Sequence, residues 1–344
     1  MRIVACCLAL HVAAESGSTA VTRERPLKER CAKWRAEGAC SRAPALMLVS
    51  CAGVCEPREV SCSRPPPADH EHELCAKLAA KGECFSRPES FLAQCFRACA
   101  MDDPSRVLAA LLAAADESVP FPGTDAPVIA ATEAAGSTTL TVDGHELTVE
   151  QLHAEPRVAM MRSLVSDEES TAIIKLAKPL LSPSPTLQGA GYRETTRTST
   201  SAVLLDEDQP PLRTLRRRVA NLTGYPEENL EPLQLVRYLP GQQFEAHNDF
   251  FDACDVREVF RGGERRATVL IYLNSVAADG GGATHFPELR DLRVPPKRNG
   301  AVYFENYAPN ATRGDARCMH QGEPPKATTK FAVNVWVRSR RFRL

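Results

Sequence analysis

The chain has no apolar run long enough to cross a membrane. The run near its start, IVACCLALHVAA after Arg2, falls far short of the ~20 residues a spanning helix needs, and no later segment reaches that length. Nor does either charge predominate. With 42 Lys and Arg against 43 Asp and Glu, the formal net charge is -1, so there is no electrostatic case for a nucleic-acid partner. The short basic runs, Arg216-Arg217-Arg218 and the terminal RSRRFRL, read as solvated faces. Cysteine is nearly missing after residue 99, where only Cys254 and Cys318 occur, and no tyrosine precedes Tyr192. The terminal RFRL is not a KDEL-type retention signal.

What is present has ordinary globular proportions, 43% hydrophobic and 25% charged, in a length that suits a catalytic domain plus smaller modules. Cysteine is concentrated at one end. Of 13, nine lie at positions 31, 40, 51, 55, 62, 75, 84, 95 and 99. Such density in a small segment reads as a disulfide framework formed in an oxidising compartment. The start agrees: Arg2, the apolar run and small residues at Ala13 and Ala14 have the pattern of a secretory signal over residues 1–14. Sequons at Asn221 and Asn310 are compatible with that route. The expected location is the secretory pathway, either the ER lumen or outside the cell.

The cysteine-rich part repeats. Residues 31–55 and 75–99 both follow C-x8-C-x10-C-x3-C, with Ala-Lys after the first Cys, a Gly two before the second and a Pro in the following loop. Each copy resembles an ShK toxin-like module, best in the first, through Cys31, Trp34, Gly38, Cys40, Pro44, Met47, Cys51 and Cys55. The modules span residues 31–62 and 75–99. Four cysteines allow three connectivities; the resemblance implies Cys31–Cys51, Cys40–Cys55, Cys75–Cys95 and Cys84–Cys99, in small helical modules held mainly by their bridges. Cys62 is left over. With no tyrosine before Tyr192, neither copy has the Lys-Tyr pair of channel-blocking members.

Residues 103–136, rich in Ala and Pro, read as a linker, with LAALLAAA as its one short helix. STTLTVDGHELTV then alternates around Asp143-Gly144, a hairpin signal. From Pro156 one larger domain is expected, to residue 344. A capping box, Ser166-x-x-Glu169, opens a helix, and PLRTLRRRVANL forms a second with Leu212, Leu215, Val219 and Leu222 inward. The segments LQLVRYL, QQFEAHNDFF, ATVLIYLN, GAVYFEN and KFAVNVWV read as strands. Helices followed by clustered strands indicate an α+β arrangement, with helices backing a β-sandwich or jelly roll.

Within those strands lie His247 and Asp249, two apart in an extended segment and so on one face; His320, entering the last strand; and Lys330, ten residues further on. Two imidazoles and one carboxylate on one side of a metal leave three positions open, which suits non-haem Fe(II). The surrounding order, VRYLPGQQFEAHND, RATVLIYLN, GGGATHFP and RCMHQGEPPKATTKFAVNVWV, with PRVAMMRSLVS and TRTSTSAVL upstream, resembles the prolyl 4-hydroxylase branch of the Fe(II)/2-oxoglutarate dioxygenases. That resemblance implies a double-stranded β-helix (jelly roll) catalytic domain with His247, Asp249 and His320 as iron ligands. It also implies Lys330 pairing with the C5 carboxylate of 2-oxoglutarate, helped by Tyr238 and Thr284, and Arg266, Trp336 and Arg338 lining the substrate groove. The implied reaction is 4-hydroxylation of peptidyl proline in proline-rich or collagen-like chains, coupled to decarboxylation of 2-oxoglutarate to succinate and CO2. O2 is cosubstrate and L-ascorbate keeps the iron reduced. His285, alternating with Thr284, is expected to face away from the metal.

Three positions depart from the family pattern: Phe244 replaces a Tyr, Ala246 a Pro and Ala283 a Glu. None is a predicted ligand, but the missing hydroxyl at Phe244 bears on the substrate. A related oxygenase acting on another residue or a small molecule, and a secreted ShK-type binding protein with an inactive oxygenase domain, are the alternative readings. Cys254 and Cys318 flank the two ligand segments, and a bridge between them is expected, two unpaired buried thiols being the alternative.

Overall fold

The structure, a computed structural model, describes residues 29–43, 47, 51, 54–55, 72–81, 129, 137–184, 197–206, 208–251, 255–308 and 311–342. The expected signal segment, Cys62, Cys84, Cys95, Cys99, Cys254, Asn310 and nearly all of the linker lie outside the described residues.

In the first repeat Cys31 is bonded to Cys51 and Cys40 to Cys55, with Cα separations of 5.4 and 5.7 Å. Trp34, Ala39 and Met47 close over these bridges in a small core of their own. Cys75, in the helix His72–Ala80, is disulfide-bonded to a cysteine outside the described residues.

The larger unit begins with a hairpin, β1 (Ser137–Val142) and β2 (His145–His153). Its two-residue turn places Asp143 at φ 53° and Gly144 at φ 71°, the left-handed pair that matches strand twist. Strand β3 (Val158–Arg162) pairs with β2. The hairpin therefore belongs to the main sheet, and the fold reaches back to Ser137, ahead of the expected start at residue 156. Helix α1 (Asp167–Ala177) carries the capping box: the Ser166 hydroxyl accepts from the Glu169 amide, and the Glu169 carboxylate accepts from the Ser166 amide. Next come β4 (Ser182–Pro183), β5 (Thr200–Leu204) and helix α2 (Pro210–Thr223), which starts on proline and stops at Gly224, φ 72°.

The remaining elements are mostly strands: β6 (Leu233–Tyr238), β7 (Phe244–His247), helix α3 (Val256–Gly262), β8 (Arg265–Tyr272), β9 (Thr284–Phe286), β10 (Leu292–Val294), β11 (Ala301–Glu305), β12 (His320–Gly322) and β13 (Lys330–Arg338). They form two antiparallel sheets, nine strands in the order β1-β2-β3-β11-β8-β13-β6-β5-β4 and four in the order β10-β9-β12-β7. Two-residue alternation divides the large sheet. Ala267, Val269 and Ile271 of β8 and Val333, Val335 and Val337 of β13 pack with Ile173 of α1 and Leu215, Val219 and Leu222 of α2. On the other face Val236, Tyr238, Tyr272, Val302, Phe304 and Ala332 meet Phe286 and Val294 of the small sheet. This inner face holds the site.

The basic triplet on α2 is not a solvated face. Arg217 is exposed and pairs with Asp143, but Arg216 and Arg218 are buried. Arg216 donates to the carbonyls of Glu227, Leu230 and Glu231, and Arg218 to Leu164 and the Glu169 carboxylate. Helical spacing explains the split: Arg216 flanks Leu212 and Val219, Arg218 flanks Leu215 and Leu222, and only Arg217 points outward.

Candidate active site

His247 ends β7 and His320 begins β12, and the two residues pair directly across the small sheet. Asp249 lies in the bend just beyond β7 rather than in the strand, yet its carboxylate turns back between the imidazoles. His247 Nε2 is 3.8 Å from Asp249 Oδ1, and His320 Nε2 is 3.8 Å from Asp249 Oδ2. One ligand atom from each residue lies within 4.8 Å of the other two. All three side chains are buried.

Backbone carbonyls set the imidazoles. His247 Nδ1 is 2.7 Å from the Glu245 oxygen and His320 Nδ1 is 3.0 Å from the Cys318 oxygen. A carbonyl only accepts, so each Nδ1 carries the proton and each Nε2 presents its lone pair to the centre. Burial and the neighbouring His320 pull His247 down to about 3, so it is neutral at physiological pH. Burial works to raise the Asp249 carboxyl, but His320, His247, Arg265 and the Thr268 hydrogen bond together hold it below its usual range. Two imidazoles and one carboxylate are the donor set that non-haem Fe(II) takes, and the residues fit such an ion. Aromatic rings wall the site: Phe304 and Phe286 lie 4.6 and 5.7 Å from the His320 ring.

Lys330 starts β13 opposite Tyr238, the last residue of β6. It is 1% exposed, and no hydrogen bond or ion pair to its ammonium is found among the described residues. Its surroundings are the rings of Tyr238 and Tyr272, with centroids 5.3 and 5.5 Å from Nζ. Burial pulls the ammonium down to about 7, opposed only in part by Glu323. A buried cation in that condition requires an anion from outside the protein, and a carboxylate of a dicarboxylic acid suits it. Thr284 is buried in the small sheet, its hydroxyl 2.8 Å from that of Tyr272, one of the two tyrosines against Lys330. Gly322 gives Tyr238 room: a Cβ there would lie 3.2 Å from the tyrosine hydroxyl.

The groove candidates separate. Trp336 is half-buried on the inner face, under the Arg265 guanidinium at 3.8 Å, and its Nε1 has no hydrogen-bond partner among the described residues. The Arg266 guanidinium is committed to the loop after β11, donating to the carbonyls of Ala308 (2.9 Å) and Ala311 (3.1 Å). Arg338 is not a groove residue. It is 0% exposed, with Nε 2.8 Å from Glu231 and Nη2 3.1 Å from Glu258, and it donates to the Gly263 carbonyl. The expected Cys254–Cys318 bridge does not form either. Cys318 is a free, buried thiol turned toward the end of β11, where it donates to the Glu305 carbonyl at 2.6 Å.

Some neighbours of the site are not named by sequence reasoning. Tyr272 and Thr268 sit in the apolar run of β8, where their two-residue spacing from the inward Leu270 was the available signal. Phe244 stacks on His247 with ring centroids 3.6 Å apart, and the Arg197 guanidinium lies 4.7 Å from the Phe244 ring. The phenyl ring thus buttresses a candidate ligand. His285 faces away from the cluster, its ring between Asp291 (2.6 Å) and Gln321 (2.8 Å).

Comparison with known proteins gives the same regions a family. A sequence model of the 2OG-Fe(II) oxygenase superfamily matches residues 233–338, and one described as ShK domain-like matches residues 27–56. Prolyl 4-hydroxylase 5 of Arabidopsis thaliana is 31% identical over 217 residues, covering 57% of this chain and 73% of that protein. Prolyl 4-hydroxylase subunit alpha-3 of Homo sapiens is 36% identical over 192 residues, 55% of this chain but only 35% of the subunit. A solved structure of the viral collagen prolyl hydroxylase from Paramecium Bursaria Chlorella virus-1, with 2OG, covers 53% of this chain and 95% of its own at 24% identity and a TM-score of 0.44. On the strength of the sequence relatives, the chain belongs to the prolyl 4-hydroxylase family of the Fe(II)- and 2-oxoglutarate-dependent oxygenases.

Proposed function

We propose that this protein 4-hydroxylates peptidyl proline in proline-rich or collagen-like polypeptides, coupled to decarboxylation of 2-oxoglutarate to succinate and CO2. The observation that carries the reading is Lys330: a buried ammonium with no carboxylate bonded to it among the described residues, lying in the same inter-sheet space as His247, Asp249 and His320. In the proposal those three residues hold Fe(II), and Lys330 pairs with the far carboxylate of the acid, helped by Tyr238 and by Thr284, whose hydroxyl Tyr272 orients. Iron with the acid and O2 supplies the oxidising chemistry, and ascorbate keeps the metal reduced. The protein's share is positioning: backbone carbonyls orient both imidazoles, Phe244 braces His247, and Phe286 and Phe304 limit water. Trp336 is the residue assigned to the peptide, since its Nε1 has no partner among the described residues.

Two disulfides in the first module support a site of action in the secretory pathway, ER lumen or outside the cell. In the full arrangement a signal over residues 1–14 and two ShK-like modules, 31–62 and 75–99, precede a linker over 103–136 and the oxygenase. The modules serve as accessory substrate-binding or spacing units, and their deletion is expected to raise the peptide KM.

The test is 2-oxoglutarate turnover with Fe(II), ascorbate and a panel of proline-rich peptides, with the product located by mass spectrometry. Peptide-stimulated turnover and one added oxygen on C4 of proline are expected. Stimulation by no peptide would sink the prolyl assignment and favour a different acceptor, consistent with the missing hydroxyl at Phe244. The His320→Ala variant should fall below detection, and a fully active one would remove the metal centre.

A further inference from the structure

Asp249 is the one carboxylate of the metal cluster, and its two oxygens are not equivalent. Each faces an imidazole Nε2 at 3.8 Å, Oδ1 that of His247 and Oδ2 that of His320, and no hydrogen bond to Oδ1 is found among the described residues. Oδ2 accepts a hydrogen bond from Thr268 Oγ1 at 2.7 Å. Thr268 is 1% exposed, in the middle of β8 on the inner face of the large sheet. Its Oγ1 is also 3.1 Å from Nδ2 of Asn306, a 0% exposed residue just beyond β11.

The direction of this relay follows from donor counting. A hydroxyl has one proton, and an ionised carboxylate can only accept, so the Thr268 proton goes to Asp249. Asn306 must then meet Thr268 with its N–H side. The alternative orientation would set the amide oxygen against Thr268 and draw the proton away from the ligand. Asn306 keeps the donating orientation although its Oδ1 is left with no hydrogen-bond partner among the described residues. The backbone supports it on both sides, its N–H donating to the Arg266 carbonyl and its carbonyl accepting from Asp315. Nothing in the iron chemistry requires a threonine or an asparagine here; what they do is differentiate two otherwise equal oxygens.

We propose that Thr268, oriented by Asn306, is a positioning residue that occupies Oδ2 and restricts Asp249 to metal ligation through Oδ1 alone. This rests on the reading of His247, Asp249 and His320 as metal ligands. Ligation by both oxygens would consume four positions of an octahedral ion and leave two, too few for a two-point acid and O2. Ligation by one leaves three.

The experiment titrates Mn(II) alone into the full chain by isothermal calorimetry, comparing wild type, Thr268→Val, Thr268→Ser, Asn306→Leu and His320→Ala. Thr268→Val should bind Mn(II) roughly 10- to 100-fold more weakly, as loss of an outer hydrogen bond to a ligand does. Thr268→Ser, which restores the hydroxyl, should return to near the wild-type value, a rescue that a purely structural role of the methyl group would not give. Asn306→Leu should fall between them. Wild-type affinity in Thr268→Val overturns the proposal while leaving the metal site standing, provided His320→Ala has lost binding. A wild type that does not bind Mn(II) overturns both. Infrared difference spectra of wild type with and without Mn(II) supply a readout free of any substitution. A wide separation of the carboxylate stretches marks one-oxygen ligation and supports the proposal, and a narrow one marks two-oxygen ligation and overturns it.

Discussion

Strand β13 carries a buried cation at each end, Lys330 and Arg338, both on its even-numbered inner face. They differ in what surrounds them. Arg338 has its partners built in: carboxylates of Glu231 and Glu258, carbonyls of Gly263 and Glu258, and the Phe251 ring 4.4 Å from its centre. Glu231 is shared with Arg265, which grips it from β8 at 2.6 and 2.9 Å. Among the described residues Lys330 has two tyrosine faces against its ammonium and no bonded carboxylate. Burying a charge is tolerated when partners are built in, and a charge buried without them is kept for something that arrives later. Satisfaction, rather than burial, separates the binding end of the strand from the structural end.

The sharpest way to break this comparison is to remove each cation in turn. Arg338→Met leaves carboxylates buried with fewer partners and should destabilise the fold by about 3–5 kcal/mol, measured by urea unfolding without ligands. A raised peptide KM at unchanged stability would return Arg338 to the groove. Lys330→Met should do the opposite. It removes an unpaired ammonium, so ligand-free stability should hold or rise. Binding of 2-oxoglutarate should weaken roughly 30- to 4,000-fold, the equivalent of the ~2–5 kcal/mol lost when one partner of a buried charge pair is deleted. Unchanged affinity for the acid would end the claim that Lys330 awaits a carboxylate.

The same contrast has a pH signature. Lys330 is held at about 7 in the folded, ligand-free protein against its usual 10.5. Between those values the unfolded chain binds more protons, so this group's contribution to stability rises with pH across that window and is lost as pH falls through about 7. Pairing with the acid restores the charge. At pH 8, 2-oxoglutarate binding should therefore take up protons, read by calorimetry in two buffers of different ionisation enthalpy, and Lys330→Met should abolish the uptake. Arg338 stays charged throughout and adds none.

Where the sequence was legible, each residue's pattern carried its own meaning. The longer strands β6, β8, β11 and β13 were readable as runs rich in β-branched and aromatic residues between Gly, Pro and Asn, and helices α1 and α2 by their helical period. Strands β9, β10 and β12, three residues each, have no period to read, and pairing across the small sheet alone defines them. In the site, His247, Asp249, His320 and Lys330 stood out through motif order. Tyr272 and Thr268 did not, because in an apolar strand their polar groups acquire meaning only from Thr284 and Asp249 elsewhere in the chain. Arg338 was misread for the same reason: its partners Glu231 and Glu258 come from distant segments. The Cys318 thiol, likewise, is directed by the end of β11 rather than by its spacing from a ligand.

The smallest effect tests how isolated Lys330 is. Among the described residues Glu323 is the acid whose field reaches the ammonium and raises its proton affinity, but the carboxylate is held elsewhere, accepting from Arg293 Nε at 2.9 Å. Glu323→Gln should lower the Lys330 proton affinity further without touching the acid's binding contacts. At pH 6 the ammonium is largely charged in either protein. At pH 8 each must be recharged on binding, and the variant more so. The ratio of 2-oxoglutarate affinities at pH 6 and pH 8 should therefore widen in Glu323→Gln, by about 3-fold for half a unit of displacement. Comparing a ratio removes any pH-independent gain from deleting one negative charge near the dicarboxylate. An unchanged ratio would mean that Lys330 gains nothing from Glu323, leaving the incoming carboxylate as its sole counter-charge.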